Sequence, residues 1–282
     1  MKAIILNLSA WIMLPIMDGF AKYLSITIPI LQITWSRYIF TVAIVLPILL
    51  FFFRTNFKWT EQPKLQLIRG LLLFSANILF FYSISIISMA KALTLAFVAP
   101  LIVTVLSPVL LGEIVGIRRW MAVIVGFSGS LIVLRPGFVE INLASIAALG
   151  TGFLYGIYLI VTRKLHKSDH PLLSLLLTGV VGAIIGSCLM PFVWVKPTIT
   201  EWYMMFAVGV FASLGHFLLI LSLRYADASK LAPLGYFEII TNILIGFYFF
   251  NDFPDNWTFV GLFIIILSGY YVFRSELTKK LT

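Results

Sequence analysis

Apolar positions along this 282-residue chain gather into ten long runs. They fall at roughly 3–24, 30–53, 66–87, 91–111, 118–134, 142–162, 171–194, 202–223, 228–250 and 256–273, and about 20 helical residues cross the hydrocarbon core of a bilayer. Each run therefore predicts a transmembrane helix. Polar or turn-forming residues separate them: the segment 54–64, Gly112-Glu113 ahead of Arg118-Arg119, Arg135-Pro136-Gly137, the segment 163–171, Lys196-Pro197 and the segment 251–255. The opening Met1-Lys2 and the apolar stretch behind it resemble a secretory signal. That stretch carries Trp11, Pro15 and Asp18 and continues to Leu24, so it reads as a retained first membrane helix.

Composition sharpens this picture. Hydrophobic residues make up 61% of the chain and charged ones 11%, with a mean hydropathy of +1.06. A soluble globule of this size has no interior for so much apolar surface, which excludes soluble and disordered classes. The reading is an all-α, polytopic membrane protein. A net charge of +9 would suit a nucleic-acid partner only if Lys and Arg clustered on one face. Here they sit between apolar runs. With a cytoplasmic N-terminus, about fifteen face inward and about four (Lys22, Lys91, Arg135, Lys196) outward. Both termini are therefore expected in the cytoplasm, and no nucleic acid is expected. Cys188 stands alone, so no intrachain disulfide forms, and it reads as a small core hydrophobe.

A repeat emerges from residue spacing. Gly70 and Gly209, Lys91 and Lys230, Arg135 and Arg274, Glu113 and Asp252, and Asn77 and His216 are all separated by one offset of 139 positions. Five helices per half is an odd number, so the second half enters the membrane inverted. That is a transporter architecture, with its site near the midplane where the repeats meet. The expected units are 1–137 (helices 1–5) and 138–282 (helices 6–10).

Several stretches resemble the drug/metabolite transporter superfamily in its EamA-type, ten-helix bacterial branch. They are Arg69-Gly70-Leu71-Leu72, Ala90-Lys91-Ala92-Leu93 through Pro100-Leu101, Leu111-Gly112-Glu113, Arg118-Arg119-Trp120, Gly126, Gly129 and Leu134-Arg135-Pro136-Gly137. In the second half Ala232-Pro233, Gly246, the stretch 250–255 and Gly261 to Gly269 are similar to the same elements. Asn251-Asp252 stands where the family usually has Gly-Glu. The resemblance covers essentially the whole chain. It implies two repeats, a central cavity lined by helices 1, 3, 4, 6, 8 and 9, and a bacterial inner-membrane location. Members carry S-adenosylmethionine, riboflavin, amino acids or related metabolites.

Ionisable groups inside apolar helices cost about 2.5–3.5 kcal/mol at the helix centre and so face a cavity or a partner. Glu238, about ten residues into the ninth run, forms a stripe with Gly235, Asn242 and Gly246. It reads as a counter-charge for a cationic substrate group or as a proton carrier. Asp18 shares a helix face with Trp11, Pro15 and Lys22, and Lys22 would neutralise it. Arg37 would bind a substrate carboxylate or pair with Asp18. Asn77 and His216 would line opposite walls of one cavity, His216 as a ligand, a proton carrier or a helix–helix hydrogen-bond donor. Thr151, Tyr155, Tyr158 and Thr162 stack on one helix face, and with Trp11 and Phe97 they would cage a flat ring or a cationic centre. Glycines 152, 156, 179, 182 and 186 mark close helix contacts, and Pro100 and Pro108 mark an interrupted helix four.

The chain lacks a phosphate-binding P-loop, a Gly-x-Ser-x-Gly elbow and a Cys-x-x-Cys pair, so no cofactor, metal or catalytic set is expected. His166, Asp169 and His170 crowd one loop and read as a solvated turn. The function expected is secondary-active transport of a small cationic or zwitterionic metabolite, with or without a ring, in the manner of S-adenosylmethionine or an amino acid, by alternating access. The alternative is facilitated diffusion of riboflavin or another neutral aromatic metabolite. A channel would need a continuous polar stripe, and an enzyme a pair such as Ser213 and His216. The partners are the substrate, the lipid bilayer, and protons or a counter-substrate; the chain would act as a monomer or homodimer.

Overall fold

The computed structural model describes residues 2–52, 59–112, 116–135, 142–165, 170–222, 225, 234 and 237–279. Among them there is no strand. The helices are α1 Lys2–Leu24, α2 Ile30–Phe52, α3 Pro63–Ile86, α4 Met89–Ala96, α5 Ala99–Leu111, α6 Ile117–Leu134, α7 Leu143–Leu165, α8 Pro171–Leu189, α9 Ile199–Ser222, α10 Phe237–Phe250 and α11 Asn256–Lys279. Seven stretches, counting Met89–Leu111 as one, are long and apolar enough to cross a membrane, and three shorter apolar helices accompany them: Ile124–Leu134, Phe237–Phe250 and Asn256–Ser268.

Local chemistry sets the helix ends. Pro63 and Pro171 open α3 and α8, where a missing N–H costs nothing. Ser88 and Asp255 cap α4 and α11 through the backbone N–H groups of Lys91 and Thr258. Gly112 closes α5 in the left-handed region at φ 68°, and Asn251, 139 positions later, closes α10 at φ 55°. Asn is among the few residues other than Gly that tolerate this conformation. The Asn251 N–H bonds the Phe247 carbonyl at 3.2 Å, the single bond of an αL closure, and the Asp252 N–H reaches the Gly246 carbonyl at 2.9 Å. The replacement of the family's glycine by Asn251 thus leaves the turn intact.

The fourth run is broken. α4 stops at Ala96, Phe97 has ψ 3°, and α5 restarts at Ala99. Pro100 has no N–H to give the Ala96 carbonyl four residues back. That freed oxygen lies against α7, 2.5 Å from where a Cβ on Gly152 would stand. The proline predicts the break, but the backbone turns at Phe97 and Val98, ahead of it. Pro108 lies inside continuous helix.

Packing follows a regular scheme. α1 lies on α9 and α3 on α7; α2 lies on α8 and α6 on α11; α4 and α5 lean on α7, and α10 leans on α1. Exchanging residues 139 apart converts the α1–α9 contact into α7–α3 and the α10–α1 contact into the α4/α5–α7 contact, while α2–α8 and α6–α11 map onto themselves. Glycine knits these pairs: Gly182 meets the Tyr38 ring, Gly186 meets Trp35, and Gly129 and Gly261 bring α6 and α11 into backbone contact.

Polarity is reversed relative to a soluble fold. Phe51, Val109, Ile124, Phe192 and Phe263 are exposed, while Asp18, Arg37, Arg69, Gln32 and Asn242 are buried. Water would penalise both choices, and hydrocarbon favours both. Cys188, expected in the core, is exposed on this outward surface.

Candidate functional site

Arg37 on α2, 3% exposed, donates from Nη2 to Nε2 of His216 on α9 at 2.9 Å. A guanidinium has only donors, so Nε2 is the acceptor and the ring in this contact is the neutral Nδ1–H tautomer. Nη1 reaches the Tyr38 hydroxyl at 3.4 Å, and the Asn77 amide on α3 donates to the same hydroxyl at 2.5 Å. Asn77 and His216 are thus ends of one chain, Asn77–Tyr38–Arg37–His216, rather than facing walls of an open cavity. A cleft beside it is lined by Arg37, Tyr38, Thr41, Thr178 and His216.

A second buried guanidinium lies close by. Arg69 on α3 is 3% exposed. It donates to Thr162 Oγ1, the Ser174 carbonyl and Thr178 Oγ1 at 2.8 Å each, and to the Tyr158 hydroxyl at 2.9 Å. Arg69 is therefore one of the roughly fifteen Lys and Arg residues expected at the inward-facing loops, and the structure instead buries it. It sits only five residues beyond the polar segment 54–64, and its burial becomes visible only once α7 and α8 fold over it. The signal available in sequence was its position inside the third apolar run.

The acids stand on two other helices, Asp18 on α1 and Glu238 on α10. Asp18 is buried, and its Oδ1 has no hydrogen-bond partner. Glu238 is in electrostatic reach of Asp18, and Asp18 in reach of Arg37. No ion pair joins Asp18 to Arg37 or to Lys22. Lys22 instead pairs with Asp252 and donates to the Ile87 carbonyl at 3.2 Å, at the end of the bundle where Arg135 meets Asp255. Glu238 lies in the first turn of α10 as described. Gly235 and most of 226–236 lie outside the described residues. Thr241, three residues on, donates its hydroxyl to the carbonyl of Trp11, midway along α1, at 2.8 Å.

Tyr155 and Tyr158 stack with centroids 5.3 Å apart. Tyr155 is in electrostatic reach of Glu238, Arg37 and Arg69. Asn242 is fully buried; its amide donates to the Glu238 carbonyl at 3.0 Å, and its Oδ1 is unpartnered. Trp11 is half-buried and turns along its own helix, donating to Asn7 Oδ1 at 2.8 Å, and Asn7 bonds Ser222. Phe97 packs against the main core cluster at the helix break. Trp11 is thus held by Asn7, which the sequence reading did not single out. Ser213 lies 2.7 Å from the Gly209 carbonyl and 3.0 Å from the Thr41 hydroxyl. With His216 turned to Arg37, these two do not form a nucleophile–base pair. His166 and Asp169 lie outside the described residues, as does Glu113, and His170 serves as the N-cap of α8.

An apolar helical shell around a polar layer that buries Arg37, Arg69 and Asp18, with Glu238 half-buried beside them, defines a multi-pass membrane protein built to handle a polar solute. The chain belongs to the EamA-like transporter family, whose model matches it twice, over residues 1–135 and 142–274. An S-adenosylmethionine uptake transporter of Rickettsia bellii (strain RML369-C) is 28% identical over 267 residues, covering 94% of this chain and 91% of that protein. A riboflavin transporter of Vibrio cholerae serotype O1 is 27% identical over 277 residues, 97% of this chain and 93% of its own. A chain of known crystal structure superposes with a TM-score of 0.66 at 17% identity over 99% of this chain and 98% of its own, which establishes the fold.

Proposed function

We propose that this transporter carries a small organic metabolite with a cationic centre, in the manner of S-adenosylmethionine or an amino acid, by alternating access between two inverted five-helix repeats, 1–137 and 138–282. The observation that carries the substrate reading is the pair of carboxylates in one layer, buried Asp18 and half-buried Glu238, together with the stacked Tyr155–Tyr158 pair. An ammonium or sulfonium ion gains from both the charge and the ring faces. The exchange symmetry of the packing, the matched left-handed closures at Gly112 and Asn251 and the two family matches support the repeat. The Lys/Arg distribution supports cytoplasmic termini in a bacterial inner membrane. Coupling to protons or to a counter-substrate would run through Glu238 or Asp18, and the unit is a monomer or homodimer.

Uptake of labelled S-adenosylmethionine into proteoliposomes tests the reading. Wild type is expected to carry it, and Glu238→Gln to lose at least tenfold in uptake, about one charge-assisted contact. Undiminished uptake by Glu238→Gln would remove Glu238 from the site. A second reading, a neutral ring carrier of the riboflavin type, is favoured by the stacked tyrosines alone. It predicts riboflavin uptake that is indifferent to Glu238→Gln.

A further inference from the structure

Arg37 and Arg69 are both buried guanidiniums, but they are not equivalent. Of five N–H donors on a guanidinium, Arg69 commits four, to two threonines, a tyrosine and a backbone carbonyl. Arg37 commits two among the described residues, to His216 and, at 3.4 Å, to Tyr38. Its partners are neutral and it lines a cleft with the hydroxyls of Thr41 and Thr178. Thr178 also accepts from Arg69, so the second guanidinium adds positive potential behind the cleft wall. Asp18, which is in electrostatic reach of it, makes no ion pair with it. A desolvated fork of donors held only by neutral acceptors is matched by one kind of ligand group, a planar anion that engages two N–H groups at once.

We propose that Arg37 is the seat of a substrate carboxylate, with His216 the neutral group that the carboxylate displaces from it. This deepens the cationic-metabolite reading and rests on it. With acids on α1 and α10 and guanidiniums on α2 and α3, the layer offers both signs of charge on separate helices. A zwitterion fits that arrangement: its cationic centre lies toward Asp18 and Glu238, and its carboxylate on Arg37, flanked by Thr41 and Thr178. Binding exchanges the Arg37–His216 contact for a charge-assisted pair; the cleft has room for only about one water, so the imidazole swings aside to make room for the carboxylate.

The test is a matched pair, S-adenosylmethionine and its decarboxylated analogue, which differ only in the carboxylate. Each is measured for uptake and for binding to the full chain in proteoliposomes. Wild type is expected to prefer the carboxylated member by about tenfold or more, the worth of one charge-assisted pair. Arg37→Gln is expected to reduce that preference to near unity by losing affinity for the carboxylated member alone. Arg37→Lys, which keeps the charge and lacks the fork, is expected to fold and to retain an intermediate preference. His216→Ala frees Arg37 beforehand and is expected to tighten binding of the carboxylated member while leaving the decarboxylated one unchanged. If both members are carried equally by wild type, or the preference survives Arg37→Gln, the carboxylate seat is overturned and the transporter reading stands. If neither member is carried, the cationic-metabolite reading falls and takes this inference with it.

Discussion

Gly182→Ala probes the α2–α8 contact on which the polar chain hangs. A Cβ there would stand 2.4 Å from Cγ of Tyr38 and 2.6 and 2.7 Å from its Cδ atoms. Ordinary carbon contacts are about 3.5–4.0 Å, so ring and helix must part by about 1 Å. The struck atom is at the root of the ring, and Tyr38 is only 2% exposed and packed against Phe74. Overpacking of this kind costs about 1–3 kcal/mol, against which the better helix propensity of Ala returns at most about 1 kcal/mol. The net expectation is a loss of about 1–2 kcal/mol, read as a melting temperature lowered by about 2–6 °C in detergent by intrinsic fluorescence. Uptake should fall more than stability does, because a displaced Tyr38 hydroxyl leaves both Asn77 and Arg37. The same face offers an internal scale. Alanine at Gly186 would meet Trp35 Cδ1 at 2.8 Å, and at Gly179 a Val42 methyl at 3.1 Å. Destabilisation should therefore rank Gly182 over Gly186 over Gly179. Wild-type behaviour of Gly182→Ala, or Gly179→Ala as the most damaging change, would refute the contact geometry.

Three further outcomes follow from the ends and the flank of the bundle. Asp255 is drawn toward its neutral form by burial, but bonds from the Thr258 hydroxyl and N–H and the charges of Arg135 and Lys91 outweigh this and hold its carboxyl below the usual range. Its contribution is therefore present above the ordinary carboxylate pKa near 4 and lost as pH falls through the lowered value. Asp255→Ala should cost about 1 kcal/mol as a lost N-cap at neutral pH and converge on wild type in acid melts, whereas a pH-independent gap would exclude the ionised cap. Lys22 and Asp252 join α1 to the chain just past α10 at low exposure. A Lys22→Met/Asp252→Asn cycle should return a coupling of about 1 kcal/mol, and an additive cycle would show the pair to be idle. Tyr158→Phe strips one acceptor from buried Arg69 and should cost about 1–3 kcal/mol, measured by thermal melts; a neutral change would mean that Arg69 finds water there.

Much of the fold is legible in the sequence because a bilayer makes each span self-contained. The runs at 30–53 and 118–134 correspond to Ile30–Phe52 and Ile117–Leu134, since no partner is needed to satisfy a helix backbone. What depends on partners is less legible. Pro100 announces the break in helix four, but its place at Phe97 is set by Gly152 receiving the freed carbonyl. Glu238, Asp18, Asn77, His216 and Arg37 are recognisable as charges or amides stranded in apolar helices. Their pairing was not, because Lys22 meets Asp252 and Arg37 meets His216 through contacts some 180 to 230 positions apart. Tyr38, whose hydroxyl joins two candidates, looks like any other membrane tyrosine until α3 lies beside it.

The burial of Arg69 bears on how the chain is made. Its four hydrogen bonds reach Tyr158, Thr162, Ser174 and Thr178, 89 to 109 positions downstream. When α3 leaves the ribosome those partners have not been synthesised, so the guanidinium must wait at the water interface or in the insertion machinery. The third helix is therefore expected to reach its final depth only after the seventh and eighth have arrived. An isolated amino-terminal half should remain a client of chaperones and proteases, and a co-expressed second half should rescue it.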